Sequence, residues 1–146
     1  MPAWVVTATE EYASRMPAHC QLLVRELPAE KRTRNSDLQR IRDAEGEKLL
    51  AAIPVGSLVV VLDVLGKAWS TEQLSGQLSQ WLASGQDVAL LVGGPEGLSA
   101  ACQQRADLKW SLSPLTFPHP LVRIIVAEQL FRAWSILSNH PYHRGG

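Results

Sequence analysis

Two short segments of this chain combine residue types and spacings that could support chemistry. The first is the run Gly93-Gly94-Pro95-Glu96-Gly97, which directly follows a strongly apolar stretch. Glycines in that position let the backbone turn sharply and approach a ligand closely, although a tight turn without a ligand is the competing interpretation. The spacing is neither G-x-G-x-x-G nor G-x-x-x-x-G-K-[ST], so it supports neither a Rossmann dinucleotide site nor a Walker nucleotide site.

The second segment is the C-terminal His140-Pro141-Tyr142-His143-Arg144, in which four of five side chains are polar. Histidine titrates near neutral pH, and tyrosine and arginine stack on bases or bind phosphates, so proton transfer or RNA contact is expected here. A zinc site would have to use His119, His140 and His143, but no carboxylate or cysteine completes the set. Cys20 and Cys102 form no metal-type spacing, so we predict no metal and expect both to be buried apolar side chains.

A basic stretch precedes the first long predicted helix. It contains Lys31, Arg32 and Arg34, and continues with Arg40 and Arg42. A solvated helix start and a phosphate-contacting patch both fit this pattern. The chain as a whole carries 14 Lys+Arg and 14 Asp+Glu, with a pI near 6.9, which argues against a protein that coats nucleic acid by bulk charge.

The elements that must position these residues alternate between strands and helices. Helices are predicted over 4–16, 36–52, 70–84, 99–106 and 119–138, and strands over 21–27, 57–63, 87–92 and 109–112. Capping boxes at Ser36 to Gln39 and Ser70 to Gln73 mark two of the helix starts. This pattern predicts an α/β fold with a mostly parallel sheet flanked by helices.

Ligands of parallel sheets bind beyond the carboxyl ends of the strands. Here those ends are Leu62-Asp63, Gly93-Gly94 and Leu112-Ser113, so a site is predicted where they meet. The last strand leads into a loop that holds three prolines, Pro114, Pro118 and Pro120. Such a stiff loop suits a ligand clamp better than a simple connection.

The last predicted helix is apolar around most of its circumference, which is typical of a buried helix. A single domain of 146 residues buries such a helix with difficulty, so a homodimer interface is expected, with a central helix of one subunit as the alternative. The chain opens without the pattern of a signal peptide, and no stretch approaches roughly 18 uninterrupted apolar residues. We therefore expect a reduced, cytoplasmic protein without membrane contact.

Several long motifs resemble one family. The segments LVGGPEGLS, WSLSPLTFPHPLVRIIVAEQLFRAWSI and NHPYHR, together with EKRTRNSD and AEGEKLLAAI, are similar to the small bacterial ribosomal large-subunit methyltransferases of the RlmH type. The resemblance extends from Trp4 to Arg144. These enzymes belong to the SPOUT superfamily, so the resemblance implies a single trefoil-knotted α/β domain over residues 1–146. The knot is then expected at about 87–138, followed by a functional tail at 139–144.

The resemblance also implies an activity and a site. The family transfers a methyl group from S-adenosylmethionine to N3 of a pseudouridine in 23S rRNA, on the assembled 70S ribosome, and acts as a homodimer whose sites are completed by both subunits. The implied cofactor residues are Leu62, Gly93, Leu112, Ser113, Pro114, Leu115, Thr116 and Phe117. The implied catalytic residues are His140, Tyr142, His143 and Arg144, and the base could be either histidine or the tyrosine. RNA contacts are expected from Lys31, Arg32, Arg34, His119 and Arg132.

One departure from the family and two other functions remain open. Family members normally begin with a β-strand ahead of the segment that here starts at Met1. The chain is therefore expected either to have a misassigned start or to lack one strand of the sheet. The alternative functions are a SPOUT methyltransferase with another RNA target and a non-catalytic dimer that binds RNA or the ribosome.

Overall fold

A computed structural model describes residues 1–144 of the chain. In chain order its helices and strands are α1 (Ala3–Ala13), α2 (Leu38–Ala52), β1 (Leu58–Ala68), α3 (Thr71–Ser84), β2 (Val88–Leu91), α4 (Ala100–Arg105), β3 (Leu108–Ser111) and α5 (His119–Leu137). Single 3₁₀ turns lie at Ala18–Cys20 and Pro141–Arg144.

The chain forms two compact units, each built from separate stretches of sequence. The sheet unit consists of Glu26–Ala68 and Gln86–His119 and contains α2, α4 and all three strands. The helical unit consists of Met1–Arg25, Trp69–Gly85 and Pro120–Gly146 and contains α1, α3 and most of α5. The predicted cofactor residues belong to the sheet unit, whereas the predicted catalytic tail and Arg132 belong to the helical unit.

The sheet unit confirms the parallel arrangement that the sequence predicts. Its strand order is β2-β1-β3, and β1 pairs in parallel with both neighbours. The central residues Val59, Val60 and Val61 are fully buried, which explains why this strand is a continuous β-branched run. The carboxylate of Asp107 accepts the Val59 N–H at 2.8 Å, and this bond lowers the pKa of that carboxyl. The start of the central strand is thereby fixed.

The predicted end of β1 at Asp63 is wrong, because the strand continues to Ala68. Its register against β3 shifts after Leu62, since both Leu62 and Lys67 are opposite Trp110. The last part of β1, which contains Gly66, passes very close to β3. A Cβ on Gly66 would lie 2.6 Å from the carbonyl carbon of Lys109. The regular parallel ladder therefore ends at Leu62, where the sequence places the strand end, and a bulge follows it.

The strand predicted over 21–27 is not observed, and this segment is irregular. Leu23 and Val24 are 79% and 49% exposed, so their side chains do not form the buried face that the apolar pattern suggested. A β-strand requires a neighbour that accepts and donates its backbone hydrogen bonds. None of the three strands in the described part of the chain is such a neighbour for residues 21–27.

The start of α2 also differs from the prediction. Asp37, rather than Ser36, is the N-cap, and its carboxylate accepts the N–H groups of Gln39 and Arg40 at 3.0 and 3.2 Å. The Ser36 hydroxyl instead accepts the Thr33 N–H at 2.6 Å, which closes the preceding turn. An ionised carboxylate binds the positive end of a helix more strongly than a hydroxyl, and this explains the one-residue shift.

In the helical unit the second capping box is confirmed. The Ser70 hydroxyl accepts the Gln73 N–H at 3.1 Å, and the Gln73 side chain accepts the Ser70 N–H at 2.9 Å. Two hydrogen bonds join α3 to α5: the Thr71 hydroxyl donates to the Gln129 side chain at 2.9 Å, and the buried Ser75 hydroxyl donates to the Ala133 carbonyl at 3.2 Å.

The long helix α5 is buried mainly between Val126 and Ser135. The buried residues are Val126, Ala127, Leu130, Phe131, Ala133 and Ser135. Leu121 and Leu137, near its two ends, are 39% and 41% exposed. Within residues 1–144 no helix combines the length and the apolar character needed to cross a lipid bilayer.

Candidate functional site

The three strand ends that the sequence nominates meet at one edge of the sheet. Val61 on β1 is opposite Leu91 on β2, and Leu62 is opposite Trp110 on β3. Gly93 and Leu112 each follow these paired positions by two residues. The backbone groups of Leu62, Gly93 and Leu112 therefore lie at the carboxyl edge of three neighbouring strands, which is where a parallel sheet binds its ligand.

The glycine loop folds back onto itself at this edge. The Gly97 N–H donates to the Gly94 carbonyl at 2.9 Å, and Gly97 has a φ of +78°. A Cβ on Gly93 would lie 2.7 Å from the Gly97 carbonyl carbon and 3.0 Å from the Leu98 nitrogen. The closure of the loop alone thus requires glycine at position 93, independently of any ligand.

Two serine side chains stabilise the start of the proline loop after β3 through local hydrogen bonds. The Ser111 hydroxyl donates to the Ser113 carbonyl at 3.1 Å, and the Ser113 hydroxyl accepts the Leu115 N–H at 3.0 Å. Leu112, Ser113 and Phe117 are half-buried, whereas Pro114, Leu115 and Thr116 are exposed. The loop therefore offers both backbone polar groups and apolar side chains beside the sheet edge.

Arg32 does not extend into solvent as a phosphate-binding residue of the predicted basic patch would. Its guanidinium donates to Glu96 in the glycine loop, with Nε 2.9 Å from Oε2, and to Glu45 on α2, with Nη2 3.0 Å from Oε1. All three side chains are largely shielded, with 27% of Arg32 and 16% of each glutamate exposed. The ion pairs raise the pKa of Arg32 and lower that of Glu96.

This arrangement corrects the prediction that Arg32 belongs to a solvated or phosphate-contacting basic patch. We name Arg32, Glu45 and Glu96 the loop clamp, because Arg32 joins the glycine loop to α2. The clamp is extended by the Glu30 N–H, which donates to Glu45 at 3.1 Å. Lys31 and Arg34, on either side of it, are exposed, and His119 is half-buried at the start of α5.

In the helical unit the C-terminal tail packs on α5 through its aromatic rings. The Tyr142 ring centroid lies 4.7 Å from that of Phe131 and 6.4 Å from that of Tyr12. The Arg132 guanidinium lies 5.0 Å from the Tyr142 ring centre and forms an ion pair with Glu128. Burial, followed by the contacts with Tyr12 and Glu128, raises the pKa of Tyr142 to about 12.

The two tail histidines make different hydrogen bonds. His140 Nδ1 accepts the backbone N–H of Tyr142 at 3.2 Å. His143 Nδ1 lies 3.2 Å from the hydroxyl oxygen of Ser135, a fully buried residue of α5. Arg144 donates to the side-chain oxygen of Asn139 at 3.3 Å. The described part of the tail is therefore ordered by specific contacts to α5 and within itself.

His143 and Arg132 line one polar cleft of the helical unit. The cleft has a volume of about 340 Å³, which falls within the usual range of small-molecule sites, roughly 300–1,000 Å³. Its walls are formed by Thr71, Glu72, Gln129, Arg132, Ile136 and His143. An imidazole, a guanidinium, a carboxylate, an amide and a hydroxyl thus line this cleft.

The two cysteines differ in burial. Cys102 is fully buried, as predicted, whereas Cys20 is only half-buried, and burial raises the pKa of its thiol. No cluster of three or more His, Cys, Asp or Glu side chains suited to a metal ion occurs within residues 1–144.

Sequence reasoning missed several residues that organise these sites. Glu45 and Glu96 lie 13 and 64 positions from Arg32, so no local charge pattern joins them to it. Ser135 is a small residue in an apolar helix, and Tyr12 belongs to the first helix of the chain. A signal for Glu96 was present in the GGPEG motif, where an acidic side chain follows three residues that cannot form ion pairs.

Comparisons with known proteins cover nearly the whole chain. The family model of predicted SPOUT methyltransferases matches residues 1–143. A protein of Thioalkalivibrio sulfidiphilus named ribosomal RNA large subunit methyltransferase H is 62% identical over 144 residues, which are 99% of this chain and 92% of that protein.

Two further relatives carry the same name. The protein of Methylococcus capsulatus is 60% identical, over 99% of this chain and 93% of its own length. The protein of Hahella chejuensis is 56% identical, over 99% of this chain and 92% of its own length. This chain belongs to the SPOUT methyltransferases and, among them, to the RlmH family.

Proposed function

We propose that this protein is an rRNA methyltransferase that transfers the methyl group of S-adenosylmethionine to N3 of a pseudouridine in 23S rRNA of the 70S ribosome. The observation that carries the proposal is the meeting of Leu62, Gly93 and Leu112 at one sheet edge, in a chain 56–62% identical to proteins named for this activity. A ribosomal substrate places the reaction in the cytoplasm. The two alternative functions, another RNA target and a non-catalytic dimer, become outcomes of the experiments below.

The residues at the sheet edge fit the chemistry of the cofactor. Adenine is a flat, largely apolar ring with hydrogen-bonding edges, and the site offers backbone groups at Leu62, Gly93 and Leu112. The proline loop from Ser113 through Pro114, Leu115 and Thr116 to Phe117 supplies apolar contacts. When bound, the cofactor provides a methyl sulfonium electrophile, so the protein's own task is to align the target nitrogen with it. The loop clamp holds the glycine loop in the shape that this alignment requires.

The N3–H of the target base must lose its proton for the nitrogen to become a good nucleophile. The tail supplies polar groups for this step. Arg132 and Arg144 are suited to stabilise the negative charge that develops on the base. Exposed Lys31 and Arg34, with His119, are proposed to contact RNA, whereas Arg32 acts through the glycine loop.

A homodimer is part of the proposal. Apolar side chains of the helical unit stay exposed in a single chain: Trp4 and Val6 on α1 are 56% and 41% exposed, and Leu121 and Leu137 on α5 are 39% and 41% exposed. A subunit interface would bury such exposed apolar side chains. We propose that the tail of one subunit completes the site of the other.

Mixed dimers test the contribution in trans. One subunit lacks residues 139–146, and the other carries Gly93→Val, which collides with the backbone of Gly97. If the tail acts in trans, the mixed dimer retains one intact composite site and about half of the activity per dimer. Complete inactivity of a folded mixed dimer would show that tail and pocket belong to the same subunit.

Methyl transfer from labelled cofactor to 70S ribosomes, free 23S rRNA and tRNA tests the substrate. We expect incorporation into ribosomes above the other two. Incorporation into tRNA alone would favour the other SPOUT activity. A folded dimer that gives no heat with S-adenosylmethionine in calorimetry would favour the non-catalytic RNA-binding function.

A further inference from the structure

We infer that Ser135 is a positioning residue that fixes the imidazole tautomer of His143, so that His143 rather than His140 or Tyr142 presents the base to the target N3–H. This inference rests on the proposed function for the role of the base. The assignment of tautomers depends only on hydrogen bonds within the helical unit.

The hydroxyl of Ser135 determines the first tautomer. It has a single proton, and its oxygen lies 2.7 Å from the Arg132 carbonyl, which can only accept. The proton is therefore given to that carbonyl, and towards His143 Nδ1, 3.2 Å away, the oxygen acts as an acceptor. A neutral His143 must then carry its proton on Nδ1, which leaves the lone pair on Nε2.

The backbone of Tyr142 determines the opposite tautomer for His140. Its N–H can only donate, and it lies 3.2 Å from His140 Nδ1. That nitrogen must be the acceptor, so the proton of a neutral His140 is on Nε2. His140 therefore uses its lone pair inside the tail, and its other nitrogen is a donor that cannot take a proton from a substrate.

The environment of Tyr142 excludes it as the general base. Burial and the neighbouring Glu128 raise the pKa of the phenol to about 12, so it remains protonated at neutral pH. Its hydroxyl donates towards Glu128 at 3.4 Å. His143 is the tail residue that both lines the polar cleft and has a lone pair available.

The proton transfer is balanced within this assignment. The N3–H bond breaks, its electron pair remains on N3, and a new N–H bond forms at Nε2 of His143. The imidazolium that results keeps its Nδ1–H bond to Ser135, and the nearby Arg132 guanidinium stabilises the charge on the deprotonated base. When bound, S-adenosylmethionine would supply the methyl group for the deprotonated N3, and its sulfur would keep the electron pair of the broken S–CH3 bond.

The test combines ¹⁵N NMR of the imidazole rings with kinetics on the full-length protein. The variants are Ser135→Ala and His143→Gln, and Ser75→Ala is a matched control because Ser75 is also buried and donates to a carbonyl of α5. At a pH where both rings are neutral, we expect a protonated Nδ1 in His143 and a protonated Nε2 in His140. Ser135→Ala should shift the His143 signals towards the other tautomer, and Ser75→Ala should not.

In kinetics we expect Ser135→Ala to lower kcat several-fold with unchanged KM for the cofactor. His143→Gln should lower kcat by roughly 10²–10⁴-fold, as for the loss of a general base. A His143 with an unprotonated Nδ1, or full kcat in His143→Gln, would overturn the inference. A wild-type protein with the expected tautomers but no methyl transfer to rRNA would instead contradict the proposed function, and with it the role of His143 as the base.

Discussion

Gly46 lies in the middle of α2 at a place where this helix approaches the start of α4. A Cβ added at Gly46 would lie 2.2 Å from the hydroxyl oxygen and 2.7 Å from the Cβ of buried Ser99. Ser99 is also the N-cap of α4, because its hydroxyl accepts the Cys102 N–H at 3.2 Å. Gly46→Ala must therefore displace a cap that directly follows the glycine loop.

Three effects combine in this variant. Alanine improves helix propensity by about 1 kcal/mol over glycine. Overpacking costs about 1–3 kcal/mol, and loss of the Ser99 cap costs about 1 kcal/mol more. We expect Gly46→Ala to lower the free energy of unfolding by about 1–3 kcal/mol in urea denaturation.

Gly76→Ala is the matched control. Gly76 lies within α3 and is exposed, and a Cβ added there would have no neighbouring heavy atom within 4 Å. Without a steric cost, the gain in helix propensity should raise the free energy of unfolding by up to about 1 kcal/mol. A Gly46→Ala protein as stable as the wild type, or a shift of the same sign in both variants, would refute the packing of α2 on α4 described above.

Two further variants test the electrostatics of the two units. Arg32→Ala should release the glycine loop and so weaken S-adenosylmethionine binding several-fold in calorimetry. Arg34→Ala should leave that affinity unchanged and weaken RNA binding. Equal cofactor affinity in the two variants would contradict a role of the loop clamp in cofactor binding. Tyr142→Phe should reduce the loss of stability between pH 10 and 12. The wild-type fold favours the protonated phenol of Tyr142, whose pKa is raised to about 12. The stability that this preference contributes is fully present below pH 10 and is lost as the pH rises through 12. Identical stability profiles over this range would contradict the burial of Tyr142.

The features that the sequence predicts well are local. Val59, Val60 and Val61 form a continuous β-branched run, and the strand they predict is the buried centre of the parallel sheet. Ser70 and Gln73 are three residues apart, so their mutual capping is visible in the sequence. The meeting of the strand ends also follows from sequence, because parallel strands share one carboxyl edge.

The features that the sequence does not predict depend on distant partners. QLLVREL has the composition of a strand, but pairing decides whether a strand forms, and pairing is not a local property. Arg32 resembles its neighbours Lys31 and Arg34 in sequence. Its ion pairs with Glu45 and Glu96 shield it, however, whereas Lys31 and Arg34 are exposed. Similarly, the choice among His140, Tyr142 and His143 requires the directions of individual hydrogen bonds. The single-domain arrangement and the trefoil knot stay predictions.

Mapping the modified nucleoside is the most direct test of the proposed activity. The full-length protein is incubated with S-adenosylmethionine and 70S ribosomes that lack the modification, and the 23S rRNA is then digested and its nucleosides are identified by mass spectrometry. We predict one new N3-methylated pseudouridine in 23S rRNA, absent when the protein carries Gly93→Val. A methyl group found on another nucleoside, or no methylated nucleoside with a folded protein that binds the cofactor, would contradict the proposed function.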